Sequence, residues 1–231
     1  MLHLVTAHRG FAGQVPLRDR QVFIGPTTFN KPAAPHTDTP HLAPGTVVVS
    51  TTTTGRDGGL FRRVLEAMAP LDVPVLATAA SAEDIPAGLR PTIRIEQYVP
   101  HDLVFPEARA LITHGGWGTV GRALLHGLPM LVIPLFGDQP LNAVLVEGAG
   151  LGRHLPLSKA TPDTIRAELR TLLADDAMRD RARRAAAEIR QLKEERAAAI
   201  ALERLVATHR ARLTRESRGE PGVQPAVSHA A

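Results

Sequence analysis

At 231 residues and 24.8 kDa, the chain is long enough for one substantial domain with appendages and short for two. A composition of 44% hydrophobic and 22% charged residues excludes an intrinsically disordered chain, and the lack of cysteine excludes a disulfide scaffold, a cysteine-ligated zinc site and a thiol nucleophile. The charge is +4, from 27 basic and 23 acidic residues. Lysine occurs only at Lys31, Lys159 and Lys193, so the pI of 10.3 reflects the very high pKa of arginine, not a basic tract. With acids interleaved among the arginines and only 3% aromatics, no nucleic-acid partner is expected.

Residues 1–45 carry little periodic pattern. The first ten, from Met1 to Gly10, lack the basic leader and apolar stretch of a signal peptide. No apolar run reaches the ~18 residues of a membrane span, so a cytoplasmic chain is expected. Gln21-Val22-Phe23-Ile24 reads as a short strand, and the proline-punctuated stretch 26–45 reads as a linker joining something else.

From 46 onward the pattern alternates. Strands are predicted at 46–50, 73–77, 92–95, 110–112, 130–133 and 152–155. Helices are predicted at 58–69, 119–126 and 141–148, a short helix or turn at 101–107, and a further helix opened by Thr161 as N-cap and Pro162 at the first helical position. The Ala-, Arg- and Glu-rich stretch 174–209 reads as one or two surface helices. Residues 211–231, with Pro221, Gly222 and Pro225, are expected to form a disordered tail. Alternating strands and helices predict an α/β fold, a parallel sheet flanked by helices, with ligands at the carboxyl ends of the strands. The core domain is expected over 46–210.

Three loops at those ends carry chemistry. Thr113-His114-Gly115-Gly116-Trp117-Gly118-Thr119 joins a strand to a helix. Its glycines permit a close backbone approach, and the helix start offers N–H groups to an anion such as phosphate. The alternative is a glycine turn beside a core histidine. Asp138 and Gln139 follow the next strand and could accept from and donate to vicinal sugar hydroxyls, or Asp138 could simply be an N-cap. Tyr98-Val99-Pro100-His101 could hold a flat base by stacking and backbone contact, or be an ordinary loop tyrosine.

In this order, and with Gly127-Leu128-Pro129 and Asn142-Ala143 between and after them, these motifs resemble the donor-binding signature of glycosyltransferase family 1, most of all its actinobacterial antibiotic and glycolipid type. The resemblance is specific over 98–155 and weaker over about 47–205. It implies a Rossmann-like C-terminal GT-B domain that takes a UDP- or dTDP-sugar without a metal or other cofactor. By the resemblance, Tyr98, Val99 and His101 address the nucleobase. His114, Gly116, Gly118, Thr119 and, from the hydroxyl run Ser50-Thr51-Thr52-Thr53-Thr54, Thr53 address the diphosphate. Asp138 and Gln139 address the sugar. Arg122 stands where plant members carry a ribose-binding Glu, and reads as a salt-bridged helix residue.

The resemblance further implies an inverting hexosyl transfer to a hydroxyl. The catalytic base would lie in an acceptor half that this chain does not hold, residues 1–45 being the end of that half plus the interdomain linker. The expected partners are an acceptor-domain chain in trans or, covering the same face, a homodimer. The binding-class alternative is a truncated nucleotide- or partner-binding module without turnover. A nucleotide-sugar epimerase would need further acid/base groups, which the sequence does not supply.

Overall fold

The computed structural model describes residues 3–7, 21–27, 41–51, 59–78, 85 and 88–218. Thr53, most of the expected linker and the end of the chain after 218 lie outside the described residues.

Six strands form one parallel sheet: β3 (Val47–Ser50), β4 (Val75–Thr78), β5 (Ile93–Glu96), β6 (Ala110–Thr113), β7 (Met130–Val132) and β8 (Gly152–His154). Their spatial order is β5-β4-β3-β6-β7-β8, the doubly wound order in which succession reverses beside the first strand. Each expected strand is present within a residue or two of its predicted bounds. The helices are α1 (Leu60–Met68), α2 (His101–Val104), α3 (Trp117–His126), α4 (Gln139–Gly148), α5 (Pro162–Ala174), α6 (Asp176–Glu194) and α7 (Ala197–Ser217).

Strand alternation divides the core in two. Val47, Val49, Val75, Ala77, Ala110 and Ile112 point to one face and pack with Leu60, Val64 and Leu65 of α1 and Ile165 and Leu169 of α5. Val48, Leu76, Leu111, Met130 and Val132 point to the other, against Phe105, Val120 and Leu124 of α3, Val146 of α4, and Ala182 and Ile189 of α6. Burial on both faces is why the strands read as continuous apolar runs. Two arginines fasten the α1/α5 side: Arg63 donates to the Ala160 carbonyl (2.8 Å) and Arg166 to that of Ala67 (3.0 Å). Thr161 caps α5 through a reciprocal bond with Thr164, as its sequence predicts.

Two elements differ from expectation, and the stretch expected as one or two surface helices proves to be two. The stretch 174–209 is the end of α5, all of α6 and most of α7. α6 gives way to α7 at Arg196, whose φ of 52° is left-handed although it is not glycine. α7 also continues to Ser217, past position 210 where the tail was expected to begin. At the other end, His3–Val5 forms a strand, β1, pairing in parallel with β2 (Gln21–Phe23). This small second sheet leans on the main body: Phe23 is buried, and a β-carbon on Gly25 would lie 3.3 Å from Ile189.

The edge strand β8 is seated by a missing side chain. A β-carbon at Gly152 would fall 2.1 Å from the Met130 carbonyl oxygen and 2.6 Å from Val146 Cγ1. Gly152→Ala is therefore expected to lower unfolding free energy by at least about 2 kcal/mol in urea titrations. Gly148→Ala, at the last residue of α4 with open space around it, should be neutral or stabilising by up to about 1 kcal/mol. Equal effects from the two would contradict this account of the β7/β8 seam.

Candidate functional site

Ser50 and Thr113, the last residues of β3 and β6, are register partners at the point where strand order reverses. The helices that follow the two strands pack on opposite faces, α1 on one and α3 on the other, the arrangement that places a crevice at a switch point. The glycine turn fills one wall of it. Gly115 has φ +88°, and a β-carbon on it would lie 2.5 Å from Val132 Cγ1; one on Gly116 would lie 2.7 Å from His114 Nε2. Both glycines are thus required by contact, and Gly115 by backbone conformation as well. Thr113 Oγ1 accepts from Gly115 N–H at 3.2 Å, fixing the turn from below.

From this turn α3 starts at Trp117 with Gly116 as N-cap and no capping side chain. Thr119 N–H and Val120 N–H bond back to the Gly116 carbonyl, both at 3.0 Å. Gly118, one residue earlier and second in the helix after Trp117, carries a first-turn amide at the helix's positive end.

His114 is half-buried beneath the turn. Its Nδ1 is fully buried without a well-formed hydrogen bond among the described residues. Burial pushes its pKa down, against the main chain of Ser50 and the carboxylate of Asp138, which favour the charged form. Asp138 therefore belongs to the same crevice as His114, although 24 residues separate them in sequence.

The two loops are stitched by Asn142, whose Nδ2 donates at 2.9 Å both to the Gly115 carbonyl and to Asp138 Oδ2. That role was not visible in the sequence, although the Asp138–Asn142 spacing of one helical turn was the available signal. The structure divides the pair Asp138 and Gln139. Asp138 stands exposed at the N-cap position of α4 without making a capping bond. Gln139 is 5% exposed, and its Oε1 accepts from Leu135 N–H (2.8 Å) and Phe136 N–H (3.1 Å).

Of the base-binding candidates, Tyr98 presents its ring to solvent at 62% exposure, while Val99 is buried. His101 is half-buried. Its ring stacks on Phe105 (centroids 4.6 Å apart) and its Nε2 meets Ser50 Oγ at 3.1 Å. The structure thus gathers His101, His114 and Ser50 at the switch point and leaves Tyr98 at the rim. Ser50, not singled out from the sequence, belongs to the hydroxyl run that pointed to Thr53. Arg122 is salt-bridged, as its sequence reading has it: Nε lies 3.5 Å from Asp102 Oδ2, and Nη1 donates to the Gly118 carbonyl at 3.0 Å. Asp102 also holds His126 Nε2 at 2.9 Å, tying α2 to both ends of α3.

Among the described residues, no group of three or more His, Cys, Asp or Glu side chains could hold a metal ion, and no helix is long and apolar enough to cross a membrane.

A doubly wound parallel sheet with a capless glycine turn and a half-buried histidine at its switch point defines an α/β domain of the GT-B glycosyltransferase class. The family model described as "Erythromycin biosynthesis protein CIII-like, C-terminal domain" matches residues 62–202, and the chain belongs to that family, as the C-terminal half of a family 1 glycosyltransferase. Tylactone mycaminosyltransferase of Streptomyces fradiae is 35% identical over 161 residues, 68% of this chain and 35% of that protein. The 4'-demethylrebeccamycin synthase of Lentzea aerocolonigenes is 33% identical over 70% of this chain and 39% of its own length. The solved calicheamicin glycosyltransferase CalG4 superposes with TM-score 0.71 at 27% identity, covering 89% of this chain and 51% of that one. The chain spans little more than a third of these two relatives and about half of that structure.

His101 makes folding pH-dependent. Burial, then the nearby Arg122, lower its pKa from 6.5 to about 4, and Asp102 opposes them. Unfolded, it takes a proton near 6.5; folded, it resists until about 4. Stability from this group is complete above 6.5 and is lost as pH falls through that interval, by up to about 3 kcal/mol. His101→Gln is expected to flatten the stability profile between pH 6.5 and 4 in chemical denaturation. An unchanged slope would assign that pH dependence to other groups.

Proposed function

We propose that this chain is the donor-binding half of a nucleotide-sugar-dependent glycosyltransferase. It takes a UDP- or dTDP-linked hexose or deoxyhexose for inverting transfer to a hydroxyl acceptor, and the acceptor-binding residues and the general base come from another domain or chain. The observation that carries the reading is the switch-point turn: Gly115 and Gly116 draw the backbone over His114 at the open start of α3. That arrangement suits a diphosphate, which gathers main-chain N–H groups and a histidine around its oxygens.

In this reading His114, Gly116, Gly118 and Thr119 receive the diphosphate, with Thr53 as a further hydroxyl donor. Asp138 and Gln139 address the sugar, the exposed carboxylate as acceptor and the amide nitrogen of Gln139 as donor. Tyr98 stacks on the base, Val99 contributes backbone contacts at its edge, and His101 braces the inner end of that subsite. As the acceptor hydroxyl attacks the anomeric carbon, the bond to the diphosphate oxygen breaks and negative charge accumulates on the leaving group. Fixed N–H dipoles and His114 stabilise that charge most when it is fully developed. The seat thereby performs the work that a divalent cation would otherwise do, and no metal takes part. What supports transfer over a binding-only module is that a relative at 35% identity is itself a named sugar transferase.

Calorimetric titration with dTDP and UDP tests the seat. Saturable binding between micromolar and millimolar Kd is expected, weakened about tenfold or more by His114→Ala. Because burial keeps His114 toward its neutral form and a diphosphate favours the imidazolium, binding should take up a proton. Affinity should then fall as pH rises through the histidine range and level off above it. Repeating the titration in two buffers of different ionisation enthalpy counts that proton. Binding that is absent for both nucleotides, or untouched by His114→Ala, would overturn the assignment.

A further inference from the structure

A second polar cavity opens at the opposite end of the sheet. It lies where the chain enters β3, β6 and β7, and has a volume of about 260 Å³. Gly45, Arg109 and Pro129, in the segments leading into those strands, form part of its wall. Arg179 and Arg183 reach it from α6, and His126 from the end of α3. The close seam between α3 and α6 holds it in shape: a β-carbon on Gly127, where φ is +65°, would meet the Arg183 Cα at 3.0 Å and the Ala182 carbonyl at 3.1 Å.

Three arginines, Arg109, Arg179 and Arg183, therefore line one concave surface. Their counter-ions stand outside it. Asp176, 82% exposed, meets Arg179 at 2.5 Å and Arg109 at 3.9 Å; Asp180 meets Arg183 at 3.8 Å, where Arg183 is 68% exposed. Neither aspartate lines the cavity, and the one acidic residue in its wall is Glu107, whose carboxylate accepts from Leu42 N–H at 3.4 Å. Exposed pairs of this kind hold arginines loosely. The guanidinium of Arg109 is anchored by donating to the Leu173 carbonyl at 3.0 Å. Its pKa is pushed down first by burial and then by Arg179, with Arg183 adding to the effect against Asp176.

We propose that this cavity is an anion site for a small phosphate-bearing ligand, inorganic phosphate or the phosphate group of a phosphorylated metabolite, held by Arg109, Arg179 and Arg183. Several guanidiniums at different angles match the tetrahedral oxygens of phosphate better than they match a planar carboxylate. The volume falls below the ~300 Å³ at which sites for drug-sized molecules begin, so the ligand is small. The site is separate from the proposed donor seat, being at the amino ends of the strands instead of the carboxyl ends.

The test follows the arginine Nε–Hε signals of the 15N-labelled chain while inorganic phosphate or glucose 1-phosphate is added at constant ionic strength. Saturable shifts at Arg109, Arg179 and Arg183 with a Kd near the millimolar range are expected, and Arg183→Glu should weaken them at least tenfold. His114→Ala should leave them unchanged, which keeps this result apart from the fate of the donor seat. Should Arg183→Glu fail to fold, Arg179→Gln serves the same purpose. Equal affinity for the two ligands identifies free phosphate as the occupant, and tighter sugar phosphate a phosphorylated metabolite. Shifts reproduced by chloride, or still linear at about 20 mM of either ligand, twentyfold above that range, or lost in His114→Ala but retained in Arg183→Glu, would overturn the proposal.

Discussion

The close approach of the chain after β6 to the end of β7 is the contact on which the crevice depends. Gly115 lies so near Val132 that a β-carbon there would overlap the valine methyl, and its carbonyl is held from the side by Asn142. One glycine thus fixes where α3 begins, where its open amides face, and how far the Asp138 loop stands from His114. A side chain at this position would lift the turn from the sheet and part the two loops together. The α/β architecture supplies the crevice; the missing β-carbon decides its depth.

Around that contact the polar groups form one connected set. Ser50 bonds His101, His101 stacks on Phe105, and Phe105 meets His126 edge-on at 6.2 Å. His126 shares Asp102 with Arg122, which returns to the first turn of α3 through the Gly118 carbonyl. The four-residue helix α2 is too short to be stable alone. It is held by these side-chain ties and by burial of Val104 and Phe105. Its polar face thereby fixes the helix that presents the turn, and its apolar face belongs to the core.

Much of this was legible in sequence, and unequally so. β3, β4, β6 and β7 could be read because burial on both faces writes continuous apolar runs between breakers, and the edge strands β5 and β8 by their place in the alternation of strand and helix. Thr161-Pro162 could be read because a cap is a local rule. The α6–α7 break could not: Arg196 takes a left-handed backbone without the glycine or proline that would announce it. β1 was missed because three residues, His3-Leu4-Val5, carry too little alternation to stand out, and their partner lies 18 positions away. In the site, His114 and its glycines were marked by spacing. Ser50 and Asn142 were not, since each acts through a tertiary partner: Ser50 reaches His101 across 51 positions and Asn142 reaches Gly115 across 27.

The same distinction separates the two residues once read as a pair. Asp138 and Gln139 are adjacent in sequence, yet the entry into α4 turns one outward and the other inward. Gln139 spends its carbonyl oxygen on two main-chain N–H groups of its own loop, which would otherwise be left without acceptors at the end of β7. That internal service holds the loop in a single shape and keeps the Asp138 carboxylate at the mouth of the crevice, where Asn142 fixes one of its oxygens. A glutamine that shapes the loop and an aspartate that faces outward can be required together without doing the same thing. Loss of the glutamine would displace the aspartate, so an effect of Gln139 on sugar recognition would not by itself place its amide on the sugar. Only a change that preserves the Oε1 acceptor while altering Nε2, as Gln139→Glu does, separates the two roles.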